Sequence, residues 1–386
     1  MRAARMFDGT GPSTVADPLV VIEDGRIASV EFGSRAAAPA DADTLDLRGA
    51  TLLPGLIDAH VHLGFDAGPD VVDALADRDD AALLDAMAAA GAAQLAAGVT
   101  TVRDLGDRDY ASLRLRERPV PLPTIAAAGP PITSLGGHCH FLGGEARGVD
   151  GVRAAVREHA ERGVDVIKVM ASGGAMTAGS DVNLAQFAPA ELAELVAEAH
   201  RHGLPVTAHA HALPAIEAAV AAGVDGIEHC TFMTPGGVRA PQELLERIVA
   251  QRIAVSATLG IVPCPDFAGP PPEMLRHLPD MLAVHARLIA MGALFVVGTD
   301  AGIAPIKPHG VLPHALGDLP KLGMTPVEAL RCGTSTAARV CGFGDSKGRI
   351  AAGFDADLLA VDGDPTADLT ALQRPVAVLA GGLRVA

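Results

Sequence analysis

The feature that most constrains the fold is a regular alternation, through the middle of the chain, of short apolar runs with Ala-rich amphipathic segments. The apolar runs lie at Leu52–Asp58, Thr100–Asp104, Thr124–Gly129, Val164–Val169, Val206–His209, Gly226–His229, Ile253–Ser256 and Leu294–Thr299. The clearest helical patterns lie at Asp80–Ala97, Pro189–His202, Leu213–Ala222 and Pro326–Val340. This alternation predicts an α/β fold, a (β/α)8 barrel of the TIM type. An open doubly wound sheet is the alternative, but no run is followed by the glycine pattern of a nucleotide site.

Both ends of the chain are rich in short β patterns. Near the N-terminus, Pro18–Ile22 and Arg26–Val30 flank Asp24-Gly25, a strong hairpin signal. Near the C-terminus, Ala356–Val361 and Val376–Leu379 are short strands separated by Gly and Asp. We therefore predict that residues 1–54 and 345–386 form one small β-sandwich domain. Residues 55–344 would form the barrel inserted between them.

Composition excludes several classes of partner. The formal net charge is −16, which disfavours a surface for nucleic acid. The five cysteines are odd in number and contain no C-x-x-C pair, which indicates a reducing compartment. The N-terminus lacks a signal-peptide pattern, and no apolar run is long enough to span a membrane. We expect a cytoplasmic protein with a small-molecule substrate, no nucleic-acid or membrane partner, and a homo-oligomeric state.

The ends of the apolar runs carry metal-competent side chains. They are His60 and His62, Lys168, His209 and His211, His229, and Asp300. Residues i and i+2 of a strand point the same way, so the two histidines of His60-Val61-His62 can bind one ion. Functional residues of a barrel sit at the C-terminal ends of its strands. The pattern therefore predicts one metal site assembled from several strands.

Lys168 lies in an apolar run, where an unpaired ammonium would cost several kcal/mol. Burial lowers the pKa of such an amine. A neutral amine can add CO2 and become a carbamate, whose two oxygens can bridge a pair of cations. For a lone lysine, snorkelling to solvent is the more common outcome. The other strand-end ligands favour the carbamate here.

Several motifs, which follow one another along the chain, are similar to those of a known enzyme superfamily. They are Pro54-Gly-Leu-Ile-Asp-Ala-His-Val-His62, Gly98-Val-Thr-Thr-Val-Arg-Asp104, Ile167-Lys-Val-Met-Ala-Ser-Gly-Gly174, Ala208-His-Ala-His211, Gly226-Ile-Glu-His229, Gly298-Thr-Asp-Ala-Gly302 and Gly353-Phe-Asp-Ala-Asp-Leu358. The chain resembles the amidohydrolase superfamily. Within it, the chain looks like the imidazolonepropionase-like group, which includes metal-dependent dipeptidases of the prolidase and carboxypeptidase kind.

The resemblance implies two divalent metal ions, usually zinc. His60, His62 and Asp300 would hold one ion and His209 and His229 the other, with carboxylated Lys168 bridging both. His211 competes with His209, but the family's ligand is the first histidine of such a pair, so His211 would face substrate. A hydroxide bridging the ions would attack the amide carbonyl. Asp300 would carry the proton to the departing amine.

Residues that bind substrate are harder to predict from the sequence. The loop Gly136–Gly144 would supply an oxyanion donor; alternating His138 and His140 could both face the site, and we favour His140. Further candidates for substrate contacts are Arg103, Ser172, Gly173, His211 and His309, with the Pro-rich stretch Cys264–Pro272 at the pocket rim. Related dipeptidases often have a tyrosine where this chain has His211, so the substrate stays open.

Four functions compete at this stage. We favour hydrolysis of a small linear amide or peptide bond, in a dipeptide or an N-acyl amino acid. Hydrolysis of a cyclic amide, a lactam or an imidazolone, is the alternative on the same scaffold. A heterocycle deaminase is less favoured, because its proton-shuttling glutamate would stand at Ala212. A scaffold without metals is disfavoured, because every expected ligand is present.

Overall fold

The structure is a computed structural model that describes residues 1–33, 36–265, 267, 269–270 and 272–386, without the side chains of residues 273 and 274. In these residues the strands are β1 (Arg2–Met6), β2 (Val15–Ala16), β3 (Pro18–Glu23), β4 (Arg26–Phe32), β5 (Asp46–Pro54), β6 (Leu56–Val61), β7 (Val99–Asp104), β8 (Thr124–Ala127), β9 (Ile167–Met170), β10 (Val206–Ala212), β11 (Gly226–Thr234), β12 (Gly237–Val238), β13 (Ala254–Thr258), β14 (Phe295–Gly298), β15 (Leu358–Asp362), β16 (Pro375–Ala380) and β17 (Leu383–Arg384). The α-helices are α1 (Val71–Ala76), α2 (Asp80–Ala96), α3 (Ala111–Leu115), α4 (Gly148–Arg162), α5 (Pro189–Arg201), α6 (Leu213–Ala222), α7 (Gln242–Ala250), α8 (Pro272–Ala290), α9 (Leu312–Asp318), α10 (Pro326–Cys332) and α11 (Ser335–Val340).

The middle of the chain is an α/β fold with parallel strands, as the sequence predicts. The strands pair in two sheets, in the orders β6-β7-β8 and β14-β13-β11-β10-β9. At the two seams between these sheets lie isolated parallel bridges, Val61 with Ala301 and Ile132 with Val169. The ladder is therefore not one continuous closed barrel, although backbone hydrogen bonds link both pairs of edges. Most of these strands are buried along their whole length, which fits strands covered on both faces.

The first predicted barrel strand, Leu52–Asp58, is divided between two sheets. Leu52 to Pro54 belong to β5, which pairs with β15, while β6 begins at Leu56 and pairs with β7. Gly55 lies at the change of direction, and a Cβ there would stand 2.1 Å from the Thr100 hydroxyl oxygen. A glycine is required because the Thr100 side chain occupies the space that a Cβ would take.

The terminal residues form one mixed sheet in the order β17-β16-β15-β5-β1-β3-β4, with β2 paired to β1. Strands β1 and β5 are parallel, and the other pairs are antiparallel. Side chains of its own strands, including Met6, Val20, Leu52 and Leu358, form a small apolar cluster. The predicted sandwich of two packed sheets is not confirmed, since strands from both chain ends pair in a single sheet.

The predicted helix Pro326–Val340 is two helices, α10 and α11. Helix α10 begins with a capping box: the Thr325 hydroxyl accepts from the Glu328 amide (3.3 Å), and the Glu328 carboxylate accepts from the Thr325 amide (2.7 Å). The break falls at Gly333, whose carbonyl accepts a hydrogen bond of 2.8 Å from the Ile57 amide. The break thus ties this helix pair to β6. Among the described residues, no helix is both long and apolar enough to cross a bilayer.

Candidate active site

Five strand ends bring the predicted metal-competent side chains to one cavity. They are His60 and His62 at β6, Lys168 on β9, His209 and His211 on β10, His229 on β11, and Asp300 two residues after β14. All seven are buried, and all line a cavity of about 780 Å³. We call these seven side chains the floor. Their convergence follows from the parallel arrangement, because the C-terminal ends of the strands meet at one face.

Four polar atoms converge in the first part of the floor. The Nε2 atoms of His60 and His62 lie 3.3 Å apart, and Asp300 Oδ1 lies 3.4 and 3.3 Å from them. Lys168 Nζ lies 3.4 Å from His60 Nε2. Behind the rings, His60 Nδ1 faces Glu228 Oε2 at 2.9 Å, and His62 Nδ1 faces the Gly106 carbonyl at 3.1 Å. Each Nδ1 therefore carries the ring proton and donates it backwards.

This proton assignment leaves two Nε2 lone pairs and a carboxylate oxygen facing one another. Such a set has too many acceptors for the protons available, and a cation satisfies all of them at once. Imidazole nitrogen and carboxylate oxygen are ligands that zinc and other divalent transition metals accept. The residues therefore fit the divalent ion that the sequence predicts.

The second part of the floor contains three histidines. Potential ligand atoms of His209, His211 and His229 all lie within 4.8 Å of one another, and a further group of His60, His229 and Asp300 meets the same limit. His211 Nδ1 faces the Thr231 hydroxyl at 2.9 Å, and His229 Nδ1 faces the Thr258 hydroxyl at 3.0 Å. Both members of the His209–His211 pair reach the cluster. The choice of His209 as the ligand stays a prediction.

Burial controls the protonation of the floor. It lowers the pKa of His60 to about 4 and of His211 to about 4, since a charged imidazole loses its hydration. For Asp300, burial acts to raise the pKa, but His60 and His62 hold it well below its ordinary value. Neutral imidazoles beside an ionised carboxylate are the protonation states that bind a cation.

Two lysines of the cavity, Lys168 and the half-buried Lys307, differ in their contacts. Lys307 Nζ donates to the carbonyls of Thr299 (2.8 Å), Thr258 (3.1 Å) and Gly260 (3.4 Å). Lys168 is 1% exposed, and within the described residues its Nζ has only His60 Nε2 as a hydrogen-bond partner. Burial lowers the pKa of Lys168. An amine so poorly compensated favours its neutral form, which is the form that reacts with CO2.

Arg103 does not face the cavity, which corrects its assignment to substrate binding. Its Nη2 donates to Glu228 Oε1 (2.8 Å), and its Nε donates to the Ala59 carbonyl (2.7 Å). Glu228 also accepts from the Thr207 hydroxyl at 2.6 Å. Burial acts to raise the pKa of Glu228, but Arg103 and His60 hold it well below its ordinary value. Arg103 therefore fixes the carboxylate that orients His60.

Of the two loop histidines, the structure brings His138 and not His140 to the cavity. The His138 ring lies 4.8 Å from the His209 ring, and its Nδ1 faces the Thr177 hydroxyl at 3.0 Å. His140 is exposed, begins the 3-10 turn His140–Leu142, and is not part of the cavity lining. Cys139 between them has a left-handed φ of +58°. The preference for His140 assumed an extended loop, and this turn overturns it.

Three further candidates for substrate contacts form hydrogen bonds with other protein groups and do not face the cavity. His309 Nε2 donates to the Phe65 carbonyl at 2.8 Å. The Ser172 hydroxyl donates to the Gly173 carbonyl (2.8 Å) and accepts from the His211 amide (2.9 Å). The Gly173 carbonyl also accepts from His209 Nε2 at 3.1 Å. None of the three lines the described cavity, so their assignment as substrate contacts is corrected. Ser172 and Gly173 position the histidines of β10.

The Pro-rich stretch Cys264–Pro272 contributes to the rim through Phe267, Gly269 and Pro270. Residues 266, 268 and 271 of that stretch lie outside the described residues. Sequence reasoning assigned no role to Glu228, Thr231, Thr258 or Lys307. Glu228 could have been found from the sequence, because it is a charged residue inside an apolar run. The same signal identified Lys168.

Comparison with known proteins agrees with this geometry. The sequence profile of the amidohydrolase family matches residues 51–384. The chain is 30% identical to ochratoxinase from Aspergillus niger over 417 aligned residues, which cover 97% of this chain and 83% of that one. It is also 30% identical to an imidazolonepropionase from Cereibacter sphaeroides over 410 residues, covering 96% and 94%.

Solved structures give the same result. A Xaa-Pro dipeptidase with bound methionine superposes with a TM-score of 0.87 at 26% identity, over 99% of this chain and 98% of that one. The crystal structure of A. niger ochratoxinase superposes with a TM-score of 0.83 at 28% identity, over 99% of this chain and 94% of that one. These relatives span almost the whole chain, including both terminal segments. The chain is an enzyme that acts on amide bonds and belongs to the amidohydrolase family.

Proposed function

We propose that this amidohydrolase cleaves a small linear amide or peptide bond with two divalent ions held by the floor. One observation carries the proposal: two imidazole Nε2 atoms, the Asp300 carboxylate and the Lys168 amine converge at one point. Each of these groups lies within 3.4 Å of at least one of the others. A second group of imidazoles adjoins it. Dipeptides and N-acyl amino acids are members of this substrate class.

In this proposal His60, His62 and Asp300 would hold one ion, and His209 and His229 would hold the other. Lys168, as its carbamate, would complete the set of ligands. Two such ions, usually zinc in the resembling enzymes, lower the pKa of bound water and polarise the substrate carbonyl. Among the described residues no carboxylate forms an ion pair with Lys168 Nζ, which supports the carbamate, since a lysine in an ion pair would stay an ammonium.

The remaining roles belong to side chains at the cavity surface. Asp300 is held ionised and lies against the two β6 imidazoles, so it is placed to accept a proton from the attacking water and to deliver it to the leaving amine. His138 and His211 line the cavity with Nδ1 engaged by threonine hydroxyls. Their Nε2 atoms are then the candidates to contact the substrate carbonyl or its oxyanion.

The backbone of Asp300 supports its assignment to chemistry. Asp300 has a φ of +60° and His229 a φ of +66°, conformations that residues with a side chain rarely adopt. Strained conformations of this kind cluster at functional sites, where the surrounding structure maintains them. Here the Asp300 amide donates to the His60 carbonyl at 2.8 Å, which holds the turn against β6.

A cyclic amide is the second candidate. The similarity to an imidazolonepropionase favours it, and the same floor could serve a lactam or an imidazolone. Deamination of a heterocycle has less support, because Ala212 stands where a proton-shuttling glutamate is expected. Release of a separate amine distinguishes the linear class, because hydrolysis of a ring gives a single product.

The broader setting is also part of the proposal. We infer that the strands of residues 55–344 act as one (β/α)8 barrel and that residues 1–54 and 345–386 form one appended domain; the backbone bonds at both seams support the barrel. The cysteines, all free thiols, support a reducing compartment such as the cytoplasm. A homo-oligomer is expected, and light scattering after size exclusion measures it directly.

Elemental analysis and product analysis test the function together. Protein expressed with zinc and bicarbonate should contain about two ions per chain and should release an amine from dipeptides, N-acyl amino acids or simple amides. His229→Ala should lose about one ion, whereas His202→Ala, an exposed position, should keep both. Full metal content in His229→Ala, or metal-loaded protein that cleaves no amide, would contradict the proposal.

A further inference from the structure

The cavity above the floor indicates which linear amide is used. We propose that the substrate carries a bulky, uncharged apolar group next to the scissile amide and no free carboxylate in the part of the cavity that binds this group. This inference rests on the proposed function and narrows it to neutral linear amides. Dipeptides and N-acyl amino acids all carry a carboxylate and would therefore be poorer substrates.

Apolar side chains enclose most of the cavity. We call six of them the wall; they are Phe65, Val72, Met176, Leu282, Ile303 and Leu322. They come from the segment after β6, helix α1, the loop after β9, helix α8, the loop after β14 and the turn after α9. A volume of about 780 Å³ lies within the range of pockets that enclose a drug-sized ligand. A phenyl or branched aliphatic group would therefore find apolar contacts from several directions.

The described lining of the cavity has no available lysine or arginine for a carboxylate. Among the described lining residues no arginine occurs, and the lysines are Lys168, Lys307 and Lys321. Lys168 is part of the floor, and Lys307 already donates to three carbonyls, one for each N–H. Lys321 is exposed at the rim and donates to Asp318 at 2.7 Å. Within the Pro-rich rim stretch, the undescribed residues 266, 268 and 271 are Asp, Ala and Pro, and none of them carries a positive charge.

The mouth of the cavity is acidic instead. Asp70 and Asp73 are exposed lining residues at the start of α1, and neither forms an ion pair with a described residue. The chain as a whole has a net charge of −16. An anionic substrate would be repelled on approach and would find no guanidinium or free ammonium once inside. Both observations favour a neutral amide.

A matched pair of substrates tests the inference on the wild-type enzyme with its metals. N-benzoyl-phenylalanine and its methylamide share the same benzoyl amide bond and differ only in the carboxylate. Release of benzoate, followed by mass spectrometry, should give a kcat/KM at least tenfold higher for the methylamide. An equal or higher value for the acid overturns the inference while leaving the amide hydrolase intact.

A binding measurement separates failure of the inference from failure of the function. Two hydroxamates with a phenyl tail, one of them bearing a carboxylate on the ring, can be compared by calorimetry on the metal-loaded protein. Tenfold tighter binding of the neutral compound supports the inference even if neither amide is cleaved, in which case the proposed function fails alone. Equal or tighter binding of the anionic compound overturns the inference.

A charge added to the wall gives a third test. Val72→Lys places an ammonium beside the apolar space, whereas Ala76→Lys adds the same charge one turn later in α1, at an exposed position outside the lining. Val72→Lys should reduce the preference for the methylamide at least tenfold, and Ala76→Lys should leave it unchanged. An equal preference in both variants overturns the role of the wall. The substrate pair on the wild type stands if Val72→Lys does not fold.

Discussion

The floor and the wall of one cavity are held in place by different interactions. Behind the floor, each imidazole has a directed partner, such as Glu228 for His60 and the Thr258 hydroxyl for His229. The wall is aliphatic and aromatic, and comes from loops and helices rather than from strands. Directional bonds fix atoms to within the tolerance that chemistry needs, whereas packing only defines a volume. Changes in the floor should therefore alter catalysis, and changes in the wall should alter the choice of substrate.

Removal of the Lys168 amine is the most severe test of the floor. Lys168→Met keeps the length of the side chain but supplies no ligand, so kcat/KM should fall about a thousandfold, equivalent to about 4 kcal/mol of transition-state stabilisation. Metal content should fall below two ions per chain. Lys321→Met, at the exposed rim, is the control and should retain both ions. Full activity with two ions in Lys168→Met would remove the carbamate from the mechanism.

Glu228→Gln tests the layer behind the floor. Glutamine keeps the shape but removes the charge that His60 and Arg103 share, so metal affinity should fall by about 10- to 100-fold. Competition with a chromogenic chelator measures this affinity without any substrate. Glu243→Gln makes the same change on the exposed face of α7 and should leave the affinity unchanged. Equal affinities in the two variants would mean that Glu228 only packs.

The sequence predicts the floor far better than the wall. Ligands such as His60, Lys168 and Asp300 stand out because each places a polar group at the end of an apolar run, and parallel strands bring those ends together. The residues of the wall, such as Val72 and Ile303, carry no such signal, since an apolar residue in a loop or helix is ordinary. Their proximity depends on how distant segments fold over the strand ends.

The errors have local physical causes. Arg103 lies near the end of an apolar run, but this position does not tell whether its side chain points to the cavity or to the strands beneath it. In the structure the side chain points to Glu228. The preference for His140 followed the alternation of an extended segment, and the left-handed residue Cys139 breaks that alternation. The run at Leu52–Asp58 hid a change of sheet at Gly55. In each case the missing information was a direction rather than a residue type.

A truncation in the wall should affect binding rather than chemistry. Ile303→Ala removes about three methyl or methylene groups that line the cavity, and burial of each by a bound apolar group contributes about 0.8 kcal/mol to binding. With the benzoyl methylamide as substrate, KM should rise roughly thirtyfold, equivalent to about 2 kcal/mol, while kcat stays within twofold. Ile22→Ala, the same change in the terminal sheet, is the control. A fall in kcat with KM unchanged would place Ile303 with the floor.

His138 lines the cavity beside the floor, and its protonation should affect the free energy of unfolding. Burial lowers the pKa of His138 to about 3 from an ordinary value of 6.5. The unfolded chain therefore takes up this proton first as the pH falls, so the free energy of unfolding decreases below pH 6.5. Between pH 6.5 and 5.5 one such group accounts for about 1 kcal/mol, because in the unfolded chain it is already half protonated at pH 6.5. In metal-free protein, the free energy of unfolding of His138→Gln should fall by about 1 kcal/mol less than that of the wild type over this interval, measured by urea unfolding at both pH values. His202→Gln, at an exposed position, is the control for replacing a histidine. Equal decreases in the free energy of unfolding in His138→Gln and the wild type would show that His138 does not titrate as a buried group.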